Sequence, residues 1–288
     1  MNFRNNDNSL LCFFGHHKCG TQWIQGILQQ LCRELNLKYN FAYDSRMFDH
    51  DLKSFIEKEK TDFFSYTNAN HEDVKDLNNF KGFHVIRDPR DIVVSGYFSH
   101  LYSHPTDKSS RIREEREKLQ KISKNEGLLL EMEFNNNVFQ AMYEWNYALD
   151  NVMEIKMEDL TSNSYRTFVE IFRFLGLVSK SRPTFKERWS HLLAMSALRT
   201  QELIIKEPIL YLPLTTVPYE RILGIIYEND FKKKTGGRKP GEENVQSHYR
   251  KGVSGDWKNH FNEKHIDVFK QKYNEVLIKL GYEKDDNW

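Results

Sequence analysis

The sequence predicts an α/β fold, a central and mainly parallel sheet flanked by helices. Three observations carry this reading. Short apolar runs of strand length alternate with longer stretches whose apolar residues recur at helical spacing. The first run, Leu10-Leu11-Cys12-Phe13-Phe14, has no polar position, as expected of a strand buried on both faces. A glycine-bounded loop, Gly15 to Gly20, then leads directly into a helical pattern. Such alternation of strand and helix is the pattern of a parallel sheet with helical crossovers.

In chain order, residues 10–15 read as a buried strand. Residues 21–35 read as the following helix, with Trp23, Ile24, Ile27, Leu28 and Leu31 on one side. A second strand is expected over 39–44, and a charged helix over 51–60. Phe63, Phe64 and Tyr66 mark a strand over 62–67. The strand at 82–86 ends at Arg87, where Asp88 suits a helix N-cap and Pro89 the first helical position. That helix runs through Ile92, Val93, Gly96 and Tyr97 towards His100. The charge-dense stretch 108–124 reads as a solvated helix or mobile segment. Residues 126–148 read as one helix with Phe134, Val138, Phe139, Met142 and Trp145 as its apolar face. A short strand at 152–157 and a helix at 165–175, closed by Gly176, follow. The stretch 181–230 holds apolar runs at 192–198 and 203–214, interrupted by Pro208, Pro213 and Pro218. It fits a lid, a substrate wall or an oligomer face. A glycine-rich polar loop at 235–241 precedes the segment 248–258. A final amphipathic helix over 263–280 carries Ile266, Phe269, Tyr273, Val276 and Leu280. The expectation is one domain over residues 1–288.

Composition narrows the function classes. Hydrophobic residues make up 39% and charged residues 29%, ordinary for a globular enzyme. A net charge of +1 gives no global field for nucleic acid or an anionic membrane, so any anion site must be a local cluster. No run approaches the roughly 18 apolar residues of a bilayer span. The first residues lack the charged-then-apolar layout of a secretion signal. Cys12, Cys19 and Cys32 have no metal spacing. A cytoplasmic protein with no bound metal is the expectation.

Three segments suited to anions stand far apart. The loop from Gly15 to Thr21 has the spacing of a Walker loop, glycine, four residues, glycine. It lacks the lysine after Gly20 and carries Lys18 inside the loop instead. A helix N-terminus behind such a loop offers N–H groups to an anion. The second segment is Arg87 with Ser95, eight residues on, and the third is Arg250-Lys251-Gly252. Each alone reads as a surface turn or a structural arginine. Together they suggest a ligand with two separated anionic groups.

These segments resemble the cytosolic sulfotransferase family. Its first motif is similar to His17-Lys18-Cys19-Gly20-Thr21-Gln22-Trp23, its second to Ile86-Arg87-Asp88-Pro89 continuing to Ser95, its third to Tyr249-Arg250-Lys251-Gly252 continuing to Lys258. The resemblance implies a P-loop-like phosphosulfate-binding loop and the donor 3′-phosphoadenosine-5′-phosphosulfate (PAPS), with adenosine 3′,5′-bisphosphate (PAP) as product and no metal. It implies that backbone amides of Cys19, Gly20, Thr21 and Gln22 hold the phosphosulfate, and that Lys18 stabilises the departing phosphate. Trp23 and Phe231 would face the adenine. Arg87, Ser95, Arg250, Lys251 and Gly252 would bind the 3′-phosphate. The chemistry agrees: negative charge builds on the bridging oxygen as the bond breaks, and a lysine with N–H groups aimed there acts mainly in the transition state.

Departures from the family pattern are visible. Gln22 replaces a second threonine, Met157 stands where a tyrosine is common, and His16-His17 replaces Tyr-Pro. The dimerisation signature is not evident in 259–268, which leaves the oligomeric state open. Asn68 occupies the place of the family's histidine base. His71, three residues later, is the first candidate for that role, with Asp44 and His17 as rivals. The acceptor is expected to be a small molecule with a hydroxyl or amine, such as a specialised metabolite. Aromatics including Tyr43, Phe48, Tyr97, Tyr102, Trp145 and Tyr211 suit a flat one, and Asp44, Asp49 and Asp51 a cationic one. His100 and His104 have zinc-like spacing without a third ligand. A P-loop small-metabolite kinase and a non-catalytic nucleotide-binding module are the alternative readings.

Overall fold

A computed structural model of the chain describes residues 9–106, 110–178 and 215–288, with Trp189, Leu193 and Ser196. Its centre is a five-stranded sheet built from β1 (Leu10–Phe14), β2 (Tyr39–Ala42), β3 (Phe63–Tyr66), β4 (Phe80–Ile86) and β5 (Val152–Lys156). The order is β2-β3-β1-β4-β5 and every pairing is parallel. β1 is central, and its alternate residues feed two cores. Leu11 and Phe13 join the larger one; Leu10, Cys12 and Phe14 join the other. That explains the unbroken apolar run, since neither face meets water.

Helix α1 (Thr21–Glu34) follows β1 and buries Ile24, Ile27, Leu28 and Leu31. Helices α2 (Leu52–Glu59) and α3 (His71–Val74) flank β3, α2 capped by the Asp51 side chain and α3 by that of Asn70. α4 (Pro89–Phe98) starts as expected, with Asp88 accepting from the Arg90 N–H and Pro89 in the first turn. It widens into a π-helical turn at Ser99–Ser103. α5 (Ser110–Leu119) corrects the expectation of a merely solvated segment. Ile112, Glu115 and Leu119 are buried, a stripe that the surrounding charge hides in the sequence. Residues 107–109 lie outside the described residues.

The expected single helix over 126–148 is two, α6 (Lys124–Phe134) and α7 (Asn136–Glu144). The break is Asn135, whose buried amide donates to the Glu131 carbonyl at 2.8 Å and competes with the helical ladder. Trp145 therefore leaves the helical stripe and joins the opposite core beside Phe14. α8 (Met157–Ser162) and α9 (Ser164–Phe174) follow β5. Apart from Leu193 and Ser196, the expected runs at 192–198 and 203–214, with Pro208, Pro213 and Tyr211, lie outside the described residues. Past them, Val217 bridges to Val178, and α10 (Tyr219–Glu228) buries Ile222, Ile225 and Ile226 against α1 and α9. α11 (Phe231–Lys234) and α12 (Glu263–Lys279) complete the chain. Among the described residues no helix is long and apolar enough to cross a membrane.

Candidate active site

The carboxyl ends of the strands open into a cavity of about 520 Å3. Its wall takes His17, Lys18, Gly20 and Thr21 from the loop after β1, Thr67 and Asn68 from beyond β3, Arg87 after β4 and Met157 after β5. Ligands of open parallel sheets bind at this edge. β1 lies between β3 and β4, so the chain leaves it in both directions and the loop after it sits at the point of reversal.

The loop is tightly wound. Lys18 and Gly20 are both left-handed, at φ 63° and 72°. The Cys19 N–H donates to the His16 carbonyl at 3.1 Å, and the Thr21 hydroxyl reaches the same carbonyl at 3.5 Å. Cys19 directs its amide to closing the loop, and it is not among the residues lining the cavity. The first helical bond runs from Ile24 N–H to Gly20 O. The N–H groups of Thr21, Gln22 and Trp23 precede it and have no partner within the helix. Gly20 also has no room for a side chain: an added Cβ would lie 2.6 Å from Met157 Cε. Burial, reinforced by the Arg87 guanidinium, holds the Lys18 ammonium down to about 7.

Arg87 and the third basic segment meet this loop. Arg87 Nη1 donates to the Lys18 carbonyl at 3.0 Å. Ser95, on α4, lines the same cavity. Asp91 on α4 accepts from the Gly255 and Trp257 N–H groups at 2.6 and 2.9 Å, tying the second segment to the third. Within the third, buried Asp256 accepts from Arg250 Nη2 and Lys251 Nζ, each at 2.6 Å. Burial pushes the Asp256 carboxyl up, but hydrogen bonds from Lys251, Asn259 and Arg250 outweigh this and hold it well below the usual range. Arg238 braces the loop by donating to the carbonyls of Tyr249 and Arg250 at 2.6 and 2.8 Å. Gly252 is left-handed at φ 66°, and the Phe231 ring lies where its Cβ would be, 2.6 Å away.

The residues fit an anionic nucleotide. Arg87 Nε and Trp23 Nε1 are buried with no hydrogen-bond partner, so two donors lack acceptors in the cavity wall. Lys18, Arg87, Arg250 and Lys251 supply positive charge, while Trp23 and Phe231 supply aromatic surface. Lys18, Gly20, Thr21, Gln22, Trp23, Arg87, Ser95, Phe231, Arg250, Lys251 and Gly252 all line this one space.

The candidate bases are separated by the structure. His71 does not line the cavity; it begins α3 and lies edge-on to Trp145 at 5.8 Å. Asp44 does not line it either, and Arg46 Nε and Nη2 donate to its two oxygens at 3.0 and 2.6 Å. Arg46 holds the Asp44 carboxyl below its ordinary range. His17 does line the cavity. Its Nε2 lies 3.1 Å from His100 Nε2, and His100 Nδ1 lies 2.7 Å from Glu131 Oε1. His100 and Glu131 are both fully buried. Burial pushes the Glu131 carboxyl up to about 8, against the pull of Lys18, Asn135 and Arg111. Burial, then His100 and Lys18, keep His17 well below the usual histidine range. Among the described residues, no group of three or more His, Cys, Asp or Glu is arranged to hold a metal ion.

Sequence reasoning missed Asp256, Arg238 and Glu131. Asp256 stands inside the third motif, where an acid among cations was a readable signal. Glu131 lies 31 positions from its partner His100 and carried none. Of the expected acceptor-side aromatics, Tyr43 lines the cavity, whereas Phe48, Tyr97 and Trp145 are core and Tyr102 is exposed.

Residues 11–203 match the family described as the sulfotransferase domain. No curated protein matches the chain in sequence. Solved structures share the fold. Mouse sulfotransferase SULT7A1 complexed with PAP superposes with a TM-score of 0.51 at 15% identity, covering 97% of this chain and 89% of that one. Retinol dehydratase in a complex with retinol and PAP gives 0.51 at 16% identity, covering 96% and 82%.

Proposed function

Since this chain belongs to the sulfotransferase domain family and is a PAPS-dependent enzyme, we propose that it transfers sulfuryl to a hydroxyl or amine of a small-molecule acceptor. One observation carries the site assignment: Lys18, Arg87 and the Arg250-Lys251 pair, remote in sequence, line a single cavity. In this reading the N–H groups of Gly20, Thr21 and Gln22 and the Thr21 hydroxyl hold the 5′ end of the donor. Arg87, Ser95, Arg250, Lys251 and Gly252 hold the 3′-phosphate, with Asp256 keeping the two cations in place. Trp23 and Phe231 receive the adenine. Met157 closes against Gly20 where a larger aromatic ring would face the base. Lys18 meets the charge that grows on the bridging oxygen, a contact that strengthens as the bond breaks.

Apart from Asp230 and Lys232, the rest of the cavity wall is uncharged, which supports a neutral, hydroxylated acceptor over a cationic one. Tyr43, Thr67, Asn68, His104 and His248 line it, all uncharged hydrogen-bonding groups. Burial, then Lys18 and His104, push His248 down to about 4. Asp44, Asp49 and Asp51 are not among the described lining residues, and Asp230 there caps Lys233. The whole chain acts as one domain in this reading, and tailoring of a specialised metabolite in the cytoplasm is the setting it suits. The test is a PAPS-dependent screen of sugars, alcohols, phenols and amines read by mass spectrometry. An acceptor gaining one sulfonate supports the proposal. Turnover confined to cationic acceptors would overturn the acceptor class. Phosphorylation from ATP with magnesium would overturn the reaction.

A further inference from the structure

The cavity histidine is the outer end of a chain that runs into the protein. His17 lines the cavity, and its Nε2 meets His100 Nε2 at 3.1 Å with the two rings stacked at 5.2 Å. His100 Nδ1 meets Glu131 Oε1 at 2.7 Å, and Glu131 Oε2 accepts from Asn135 at 3.2 Å. With Nε2 engaged, Nδ1 is the ring nitrogen His17 can offer to a ligand. We propose that His17, His100 and Glu131 form a proton relay in which His17 Nδ1 removes the acceptor's proton. The relay rests on the sulfotransferase reading above and completes it, because Asn68 stands where the family resemblance implies a histidine base.

Each hydrogen bond in the chain needs one donor and one acceptor, which leaves two states. With Glu131 ionised, His100 donates from Nδ1 and must accept at Nε2, so His17 donates from Nε2 and its Nδ1 carries a lone pair. With Glu131 protonated, every bond reverses and His17 Nδ1 carries a hydrogen. Only the first state has a base facing the cavity. In the working direction the acceptor's O–H proton goes to His17 Nδ1 as its oxygen bonds to sulfur. The Nε2 proton of His17 passes to His100 Nε2, and the Nδ1 proton of His100 passes to Glu131. Three bonds to hydrogen form and three break, and Glu131 ends neutral.

The surroundings explain why the proton is passed inwards. His17 sits beside Lys18, His100, His104 and Arg111, all of which disfavour an imidazolium there. His100 faces Lys18, His104, Arg111 and Arg116, the last donating to its carbonyl. Glu131 faces Lys18, Arg111 and Glu115, and burial makes it a proton acceptor near 8. The protein contains a built-in comparison. His16, His84 and Glu154 form a similar chain, at 2.7 and 2.6 Å, but His16 is buried and does not line the cavity.

The test is a pH series of long-range 1H–15N spectra on the 15N-histidine-labelled protein with and without PAP. His17 and His100 are assigned from the His17→Asn and His100→Asn variants. The expected result is a coupled change of tautomer at both histidines with one midpoint near pH 8, lost in Glu131→Gln and kept in Glu154→Gln. His17→Ala should lower kcat by on the order of 10²-fold or more on whichever acceptor the screen finds. Fixed tautomers in the native protein from pH 6 to 10, or separate midpoints, would overturn the relay whether or not the variants fold. Failure to bind PAP would instead count against the donor reading, so the two failures are distinct.

Discussion

Lys18 should take up a proton when an anionic nucleotide binds, and the expected size of that effect follows from its surroundings. Burial and Arg87 hold the free ammonium near 7, well below an ordinary lysine near 10.4. A bound phosphate replaces the lost water with a counter-charge, so the lysine regains its proton and its pKa rises. Between pH 7 and 9 the free protein then deprotonates while the complex does not. The dissociation constant for PAP should rise by about 50-fold over that window, or ~2.3 kcal/mol at about 1.36 kcal/mol per tenfold. Phosphate titration near pH 6 lies below the window and does not contribute. Calorimetry in phosphate and in Tris at pH 8 should show net uptake of close to one proton per PAP, and Lys18→Met should remove it. A flat affinity from pH 7 to 9 without proton uptake would refute the placement of the lysine against the nucleotide.

Asp256→Asn should weaken PAP binding by about tenfold or more, since charge-assisted contacts of ~1.5–3 kcal/mol hold Arg250 and Lys251 in place; equilibrium dialysis measures it. Gly20→Ala should destabilise the fold by about 1–2 kcal/mol, because alanine resists the left-handed conformation, and should also displace Met157; a denaturant titration of free and PAP-bound protein reads both effects. Trp145→Ala should cost about 3–5 kcal/mol in the same titration, since it empties a fully buried site. It also removes the indole donor to Glu154 Oε1 at 2.9 Å. His71→Ala should leave kcat within about twofold on any acceptor, as the ring lies outside the cavity wall.

The parts of the site set by local chain chemistry were legible. The β1 strand, the glycine-bounded loop and the α1 stripe each follow from neighbouring residues, as do the Asp88 cap and Pro89 start of α4. Both anion segments placed by strand ends came from the same kind of signal. What escaped depends on contacts across the fold. Asn135 looks like one more polar residue on a helix until its amide turns back on Glu131 and splits the helix. Trp145 fits the helical stripe by spacing, yet the break sends it to the other side of the sheet. The α5 stripe is spaced correctly, but one buried acid, Glu115, disguises it. Three histidines, His17, His71 and His84, look alike in sequence; one faces the cavity, one begins a short helix and one is sealed in the core. Only tertiary packing separates them.

Single-turnover transfer from 35S-labelled PAPS tests most directly whether Lys18 acts at the bond that breaks. With the acceptor found by screening, the native protein should yield sulfated acceptor and PAP in equal amounts. Lys18→Ala should slow that step by more than about 10³-fold while PAP affinity falls by less than about 10²-fold. A variant that transfers at near the native rate, or that loses affinity as steeply as rate, would contradict that role for Lys18.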